Sequence, residues 1–498
     1  MLSQTVAAIE AEGCPVFTFA PTTAAAKVLR KEGFGNAATL QSLIISEESQ
    51  AQIKGGVLLV DEAGMIGVPQ MKRLMEVAAA QGARVALIGD GQQHGSVERS
   101  DVNVLHILER HAGLAPFTLS DIRRQRDAAY RAAVADLSCG RIAEGFDKLE
   151  AIGAFREVED DAARYGQIAE DYLALAQEGK EVLIVSPTHA EGAAVNDAVR
   201  RRLKDAGLIE ADEHSLPQWA NLNATIAERR QARFYAPGMM VGFVRGCAGF
   251  KVGERLTVTG RDEDGYVIAE TTNGDAVRLP LTQAECFQVF EERRLNLAVG
   301  DLVRLTKNGF GVHGEALVNG TVARVDGFTN NGDITLEDGT IIEHGFGHLT
   351  YGYCLTSHAS QGRTVDAVLV AQSSLSAGAA SPEQVYVSVS RAREEVRIYT
   401  DDAEAMKDTL TSGRHAMSAT DVLKSGPEAE DPDRPRRIKV YQKMMNVHWR
   451  RKRERLRQAA EATRSRSADL IGTLRSTWAR LAAPLSLSRP SIHWRPAP

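Results

Sequence analysis

Two adjacent carboxylates end an apolar run in the segment Val57-Leu-Leu-Val-Asp61-Glu62. A short apolar run predicts a buried strand, and ligands of parallel sheets bind beyond the carboxyl ends of the strands. Asp61 at that position could hold Mg²⁺, directly or through water, and Glu62 could polarise an attacking water. A buried strand that only runs into an acidic turn is the alternative.

A second apolar run ends in Gly89 and Asp90, and Gln93 follows three residues later. Because the carboxyl ends of parallel strands share one sheet edge, these residues are expected beside the first pair. A glutamine there can sense a γ-phosphate and link it to the closing of two domains. The alternative is an ordinary Gly-Asp turn.

Two arginines, Arg391 and Arg393, follow the β-branched and serine run that starts at Tyr386. A guanidinium supplied by a second domain can stabilise transition-state charge on a γ-phosphate. An amphipathic segment with solvated arginines would look the same.

The segment Thr356-Ser-His-Ala-Ser-Gln-Gly-Arg-Thr364 is rich in hydrogen-bond donors. Such a surface suits the phosphates of a nucleic-acid strand, although a generic polar loop is the alternative.

Strands and helices that alternate along the chain would position these residues. The pattern predicts helices at 2–12, 23–31 and 70–81, and strands at 15–19, 57–60, 84–88, 182–185, 366–371 and 395–400. Apolar strands between helices indicate parallel sheets covered on both faces. From 235 to 345, short alternating strands with Gly and Asp-Gly turns indicate small β-barrel material inserted into the second sheet.

The order of these segments matches a known family once Ala20-Pro-Thr-Thr23 and Asp121-Ile-Arg-Arg-Gln125 are included. Over about residues 1–405 the chain resembles superfamily 1 RecD-like DNA helicases, in particular the helicase region of conjugative relaxases of the TraI/TrwC type (MobF family). The resemblance implies ATP and Mg²⁺ as cofactors and single-stranded DNA as partner. It also implies a possible relaxase domain upstream in a longer chain, and the conjugation machinery.

The resemblance also implies residue roles, with Mg²⁺ on Asp61. The implied catalytic residues are Glu62, Gln93, Arg124 and Arg391. The implied nucleotide-binding residues are Asp61, Gly89, Asp90, Gln93, Arg124, Gln125, Gln361, Gly362, Arg391 and Arg393. The implied DNA-binding residues are Pro21, Thr22, Ser357, His358, Arg304 and Asn319.

The expected fold is α/β, with two RecA-like parallel-sheet (P-loop NTPase) domains, an inserted small β-barrel (SH3-like) region and a helical basic tail. The expected boundaries are 1–115 for the first domain, 116–234 and 346–405 for the two parts of the second, 235–345 for the insert and 406–498 for the tail.

No segment of the sequence matches G-x-x-x-x-G-K-[S/T], the phosphate-binding loop of this family. The chain opens on the helix that should follow that loop, so we expect the first strand and the loop upstream of Met1. A start assigned too late, a broken gene or a piece supplied by another polypeptide would each explain this. The expected function is an ATP-dependent single-stranded DNA translocase of conjugative transfer, inactive alone. The alternative is a non-hydrolysing DNA-binding remnant, and a nuclease is disfavoured because no acidic and histidine cluster is present.

The composition limits the classes of protein that the chain can belong to, and it shows one strongly basic segment. Five scattered cysteines without a C-x-x-C pair indicate neither a disulfide framework nor a metal site, so cytoplasm is expected. No apolar run approaches the roughly 18 residues of a membrane span, so membrane insertion is not expected. The net charge is −6, but residues 434–466 hold 13 lysines and arginines against two glutamates. This tail could contact DNA phosphates, dock a partner protein or form a solvated helix.

Overall fold

The computed structural model describes residues 2–93, 104–119, 121–374, 376 and 380–411, all of which fall in the first of the two units of the chain, Met1–Glu430. The basic segment 434–466 lies outside the described residues. Among the described residues, no helix is long and apolar enough to cross a bilayer.

The first domain is built on a four-stranded parallel sheet with the order β2-β1-β3-β4. Its strands are β1 Val16–Ala20, β2 Ala38–Thr39, β3 Val57–Val60 and β4 Arg84–Leu87. Its helices are α1 Leu2–Ala11, α2 Thr23–Lys31, α3 Leu40–Ile45, α4 Glu47–Gln52, α5 Val68–Gln81 and α6 Val104–His111. All four residues of β3 are buried, as expected for a strand covered on both faces.

A second α/β region follows. Its elements are helices α7 Ala128–Ser138, α8 Ile142–Ala151, α9 Asp161–Gln177 and α10 His189–Asp205, with strands β5 Phe155–Glu157 and β6 Val182–Val185. Side-chain oxygens cap the amino ends of α7, α9 and α10, where the first backbone N–H groups lack partners within the helix.

Antiparallel strands then run from His214 to Tyr351, a wider range than 235–345. The helix of this insert is α11 Ile226–Arg229. Its strands are β7 His214–Asn221, β8 Met240–Phe243, β9 Arg255–Arg261, β10 Val267–Thr271, β11 Ala276–Arg278, β12 Phe287–Leu297, β13 Leu302–Leu305, β14 Gly309–Phe310, β15 Ala316–Leu317, β16 Val322–Phe328, β17 Ile334–Leu336, β18 Ile341–Ile342 and β19 Leu349–Tyr351. They form a six-stranded sheet, β11-β10-β9-β8-β12-β7, a five-stranded sheet, β18-β17-β16-β13-β19, and the hairpin β14-β15. One apolar core lies within the six-stranded sheet, and a second joins the five-stranded sheet to β7 and β12 of the six-stranded sheet.

The chain then returns to the second α/β region. The last elements are β20 Cys354–Leu355, α12 Ser357–Ser360, β21 Val365–Ala371, α13 Pro382–Val389, β22 Ala392–Thr400 and α14 Ala403–Thr411. The parallel sheet has the order β20-β6-β21-β22-β5, so strands from before and after the insert lie side by side. The antiparallel material is therefore inserted into the second parallel-sheet domain.

Candidate functional site

The paired carboxylates lie where β3 ends. Glu62 adopts a left-handed backbone conformation, with φ 50° and ψ 38°, before a short 3₁₀ turn at Ala63–Met65. Ala63 N donates to Ile88 O at 2.8 Å, which ties this turn to the end of β4. Left-handed backbone is costly for a residue with a Cβ and tends to occur where function fixes a side chain. Burial, and then the charge of Glu62, raise the pKa of Asp61 to about 6.

The turn after β4 lies against the turn after β3. A Cβ added to Gly89 would stand 2.8 Å from Leu105 Cδ1 and 3.1 Å from Gly64 N, so this position needs glycine. Asp90 Oδ1 accepts from Gln92 N at 2.9 Å, and Asp90 Oδ2 accepts from Gln93 Nε2 at 3.2 Å. These bonds orient Gln93 at the same sheet edge as Glu62.

A glutamine from the second domain joins this edge. Gln361 Nε2 donates to Glu62 Oε2 at 2.9 Å and to Gln93 Oε1 at 3.1 Å. One amide nitrogen carries two hydrogens, so it can make both bonds. Gly362 follows with φ 79°, a conformation that glycine adopts at little cost. The two domains therefore meet directly at Glu62.

Two arginines of the second domain face the same cleft. Arg391 is 2% exposed and donates through Nε to Val387 O at 2.9 Å, while Arg124 Nη1 donates to Ser390 O at 2.7 Å. Burial, and then the positive charge of Arg124, lower the pKa of Arg391 to about 10; the carboxylate of Glu62 opposes this shift.

A cavity of about 280 Å³ lies beside these arginines. Its lining includes Gln93 from the first domain together with Arg124, Tyr386 and Arg391. The charge of Glu62 acts on both arginines, of which Arg391 is buried and Arg124 half-buried. Carboxylate and guanidinium groups on opposite sides of a cleft suit a phosphate ester and a divalent cation.

Tyr386 is a site residue that the sequence analysis left without a role. It lies on α13, is 8% exposed, and donates from its hydroxyl to Asp90 Oδ2 at 2.8 Å across the two domains. Burial raises its pKa, and the charge of Asp90 adds to that effect. A helical tyrosine near two arginines carries no distinctive local signal, so only the fold could reveal this contact.

Two predicted nucleotide-binding residues form hydrogen bonds within the second domain. Gln125 is buried and donates to Ser390 O at 3.1 Å and Ala392 O at 2.8 Å, so it supports the backbone on either side of Arg391. Arg393 Nη1 donates to Asp366 Oδ1 at 2.9 Å, and the structure pairs it with this carboxylate of β21.

The predicted DNA-binding residues fall in three places. Pro21 and Thr22 follow β1, and Thr22 Oγ1 caps α2 by accepting from Ala25 N at 3.1 Å. On α12, Ser357 is buried and His358 is exposed. Arg304 on β13 and Asn319 after β15 belong to the insert. The first two places follow strands of the parallel sheets and the third lies in the antiparallel insert.

Two protein families match parts of the chain. Residues 1–160 match the family described as AAA domain, and residues 351–399 match the UvrD-like helicase C-terminal domain. The chain is 24% identical over 488 residues to the multifunctional conjugation protein TraI of Escherichia coli, covering 86% of this chain and 27% of that protein. It is 25% identical over 395 residues to the probable conjugal transfer protein TraA of Sinorhizobium fredii (strain NBRC 101917 / NGR234), covering 78% of this chain and 29% of that protein.

Among solved structures, Bacteroides Pif1 bound to ssDNA is similar at a TM-score of 0.36 and 15% identity, covering 82% of this chain and 87% of that chain. The chain spans little more than a quarter of the curated relatives it matches. The chain is thus similar at 24–25% identity to TraI and TraA conjugation proteins, and its described residues contain two parallel-sheet α/β domains.

Proposed function

We propose that this chain is the motor portion of a DNA helicase or translocase that couples ATP hydrolysis to movement along single-stranded DNA in conjugative transfer. The observation that carries the proposal is the meeting of the two domains at Glu62. There, Gln361 of the second domain bonds both Glu62 and Gln93 of the first. A site assembled from two domains can open and close with each nucleotide, which a motor requires.

Residues of this cleft fit ATP and Mg²⁺. Two adjacent carboxylates at a buried strand end suit a divalent cation, because burial and the charge of Glu62 already disfavour the ionised form of Asp61. Asp61 would hold Mg²⁺, which when bound neutralises phosphate charge. Glu62 would polarise the attacking water, and the guanidinium groups of Arg124 and Arg391 would stabilise charge on the γ-phosphate.

A chain of hydrogen bonds supports coupling between the domains. It runs from Tyr386 to Asp90, then through Gln93 and Gln361 to Glu62. Three of these four bonds join one domain to the other, and the fourth, between Asp90 and Gln93, lies within the first domain. Separation of the domains would break those three bonds together, so the orientation of Glu62 would depend on closure.

Single-stranded DNA is the proposed partner. Pro21, Thr22 and His358 would contact it at the strand ends of the two parallel-sheet domains, and Arg304 and Asn319 would contact it from the insert. An upstream relaxase domain in a longer chain, the conjugation machinery and a cytoplasmic location belong to the same proposal.

A second candidate is a single-stranded DNA-binding protein that does not hydrolyse ATP. The sequence contains no G-x-x-x-x-G-K-[S/T] segment, whose backbone N–H groups and lysine hold the β- and γ-phosphates in such motors. Within the described residues, no strand pairs with the outer edge of β4. Both observations favour this candidate if the chain acts alone.

Steady-state ATP hydrolysis with and without single-stranded DNA separates the two candidates. An active motor would show DNA-stimulated turnover, against the expectation from the missing loop that the chain is inactive alone. Glu62→Gln should lower that turnover by about 10²–10⁴-fold, because the amide cannot take a proton from water. DNA binding, measured by fluorescence anisotropy, should be retained in that variant. DNA binding without turnover in the unaltered chain would favour the second candidate, and turnover indifferent to Glu62→Gln would contradict the proposed site.

A further inference from the structure

The hairpin β14-β15 exposes a large aromatic ring. Gly309 pairs with Leu317 and Phe310 with Ala316. Because side chains alternate along a strand, Leu317 enters the core of the insert at 3% exposed, whereas Phe310 is 77% exposed. Val312 in the turn is 50% exposed as well. The tip of the hairpin is therefore an apolar surface presented to solvent.

The backbone that carries Phe310 is held firmly. Asn319 N donates to Asn308 Oδ1 at 2.7 Å and closes the base of the hairpin, while Val312 N donates to Ile341 O at 2.9 Å. The ring of Phe346 packs against Gly309, where an added Cβ would stand 2.8 Å from Phe346 Cε2. A backbone held in this way loses little conformational freedom when the hairpin binds a ligand.

Cations without carboxylate partners lie beside the hairpin. The ring of Phe346 meets that of His348 edge-on at 5.5 Å, and His348 Nε2 lies 3.2 Å from Arg255 Nη2. Lys307 precedes the hairpin, and burial followed by the charge of Arg255 lowers its pKa. Across the described part of the chain, neither Arg255 nor Lys307 forms an ion pair.

Two more cations lie near the other end of the hairpin. Arg363 Nη2 donates to Gly320 O at 3.3 Å, just after β15. Arg304 Nε is buried and has no hydrogen-bond partner, and the charge of Arg304 adds to burial in lowering the pKa of Arg363. Glu181 opposes this shift at Arg363, but no charge opposes the burial-driven lowering of the Arg304 pKa. Positive charge that is only partly compensated favours a bound anion such as a phosphodiester.

We propose that Phe310 is a stacking platform for a base of single-stranded DNA whose phosphates contact Arg255, Lys307, Arg304 and Arg363. Every base has a flat π-face, so an exposed ring on a firmly held backbone can hold one without reading sequence. Adjacent cations neutralise the backbone while the ring carries the base. This inference rests on the proposed function, since it supposes that single-stranded DNA is the partner.

Fluorescence anisotropy with labelled oligothymidylate tests the platform. Phe310→Ala should weaken binding by about 5- to 100-fold, the range found for base–aromatic stacking, while Phe310→Trp should stay within about threefold. Tyr266→Ala is the matched control, because Tyr266 is an exposed aromatic of the same insert, 52% exposed, that lies over Arg278. That control should bind as the unaltered chain does.

An oligonucleotide with abasic positions separates stacking from loss of structure. The unaltered chain should bind it as weakly as Phe310→Ala binds oligothymidylate, and Phe310→Ala should not distinguish the two ligands. If Phe310→Ala binds oligothymidylate as tightly as the unaltered chain, or loses affinity for both ligands equally, the platform is refuted while DNA binding stands. If the unaltered chain binds neither ligand, the proposed function fails together with the platform.

Discussion

The two parallel sheets differ in how completely they are covered. In the second sheet, six of the seven residues of β21 are buried, and a strand lies on each side of it. In the first sheet, β4 has no fully buried residue, and no described strand pairs with its outer edge. Nearby, the segment after α6 exposes the large apolar side chains of Leu114, Phe117 and Leu119.

The same difference distinguishes the acidic half of the cleft, which the first domain supplies, from the basic half, which the second domain supplies. The second domain holds Arg391 through its own buried backbone. The first domain presents Glu62 and Asp90 beside β4, which has no fully buried residue. Both carboxylates accept hydrogen bonds from the second domain, Glu62 from Gln361 and Asp90 from Tyr386. We infer that the acidic half depends on contacts across the cleft more than the basic half does.

The largest expected effect is at Arg391. Arg391→Lys keeps the charge but loses the planar fork that can contact a γ-phosphate, so DNA-stimulated ATP turnover should fall by on the order of 10³-fold. Arg393→Lys is the control, because Arg393 pairs with Asp366 and does not line the cavity that Arg391 lines. Its turnover should change by less than about tenfold. Equal losses in the two variants would remove the distinction between these arginines.

A smaller effect is expected at Gly89. Gly89→Ala forces a Cβ to 2.8 Å from Leu105 Cδ1 and should destabilise the first domain by about 1–3 kcal/mol. Hydrogen exchange of peptides covering β3 and β4 measures this loss locally. Gly35→Ala, where an added Cβ meets nothing within 4 Å, should leave exchange unchanged. Faster exchange in the second sheet instead would show that the first sheet is not the weaker one.

The smallest effect is expected at Tyr386. Tyr386→Phe removes the hydroxyl that donates to Asp90, and the loss of a bond to a charged acceptor should lower turnover about tenfold. Tyr351→Phe loses a comparable bond, from its hydroxyl to Asn296 O at 2.7 Å, within the insert. Turnover of that control should stay near the original value. A similar loss in both would indicate a general effect on folding.

Local pattern predicted much of the framework. The run 57–60 forms β3 as predicted, because four apolar residues before two carboxylates fit a strand buried on both faces. The strand β7 was missed because Pro217 lies within it, and proline is tolerated there only because β7 is at a sheet edge.

The local sequence pattern could not predict contacts between residues that lie far apart in the chain. Gln361 and Glu62 lie 299 positions apart, and Tyr386 and Asp90 lie 296 apart. The sequence predicted Glu62, Asp90 and Gln361 at the site but not Tyr386. Which of these residues pair depends on how the two domains pack. The exposure of Phe310 likewise follows from the register of a hairpin whose strands are only two residues long, and the sequence does not specify that register.

The central claim is that both domains contribute to one nucleotide site, and a double-mutant cycle tests it most directly. DNA-stimulated turnover is measured for Glu62→Gln, Arg391→Lys and the double variant. Residues that act as a unit are non-additive, so the double variant should be little slower than the slower single variant. If the fold-losses of the two single variants multiply in the double variant, the two residues do not share a site. Turnover that Arg391→Lys leaves unchanged would also contradict a shared site.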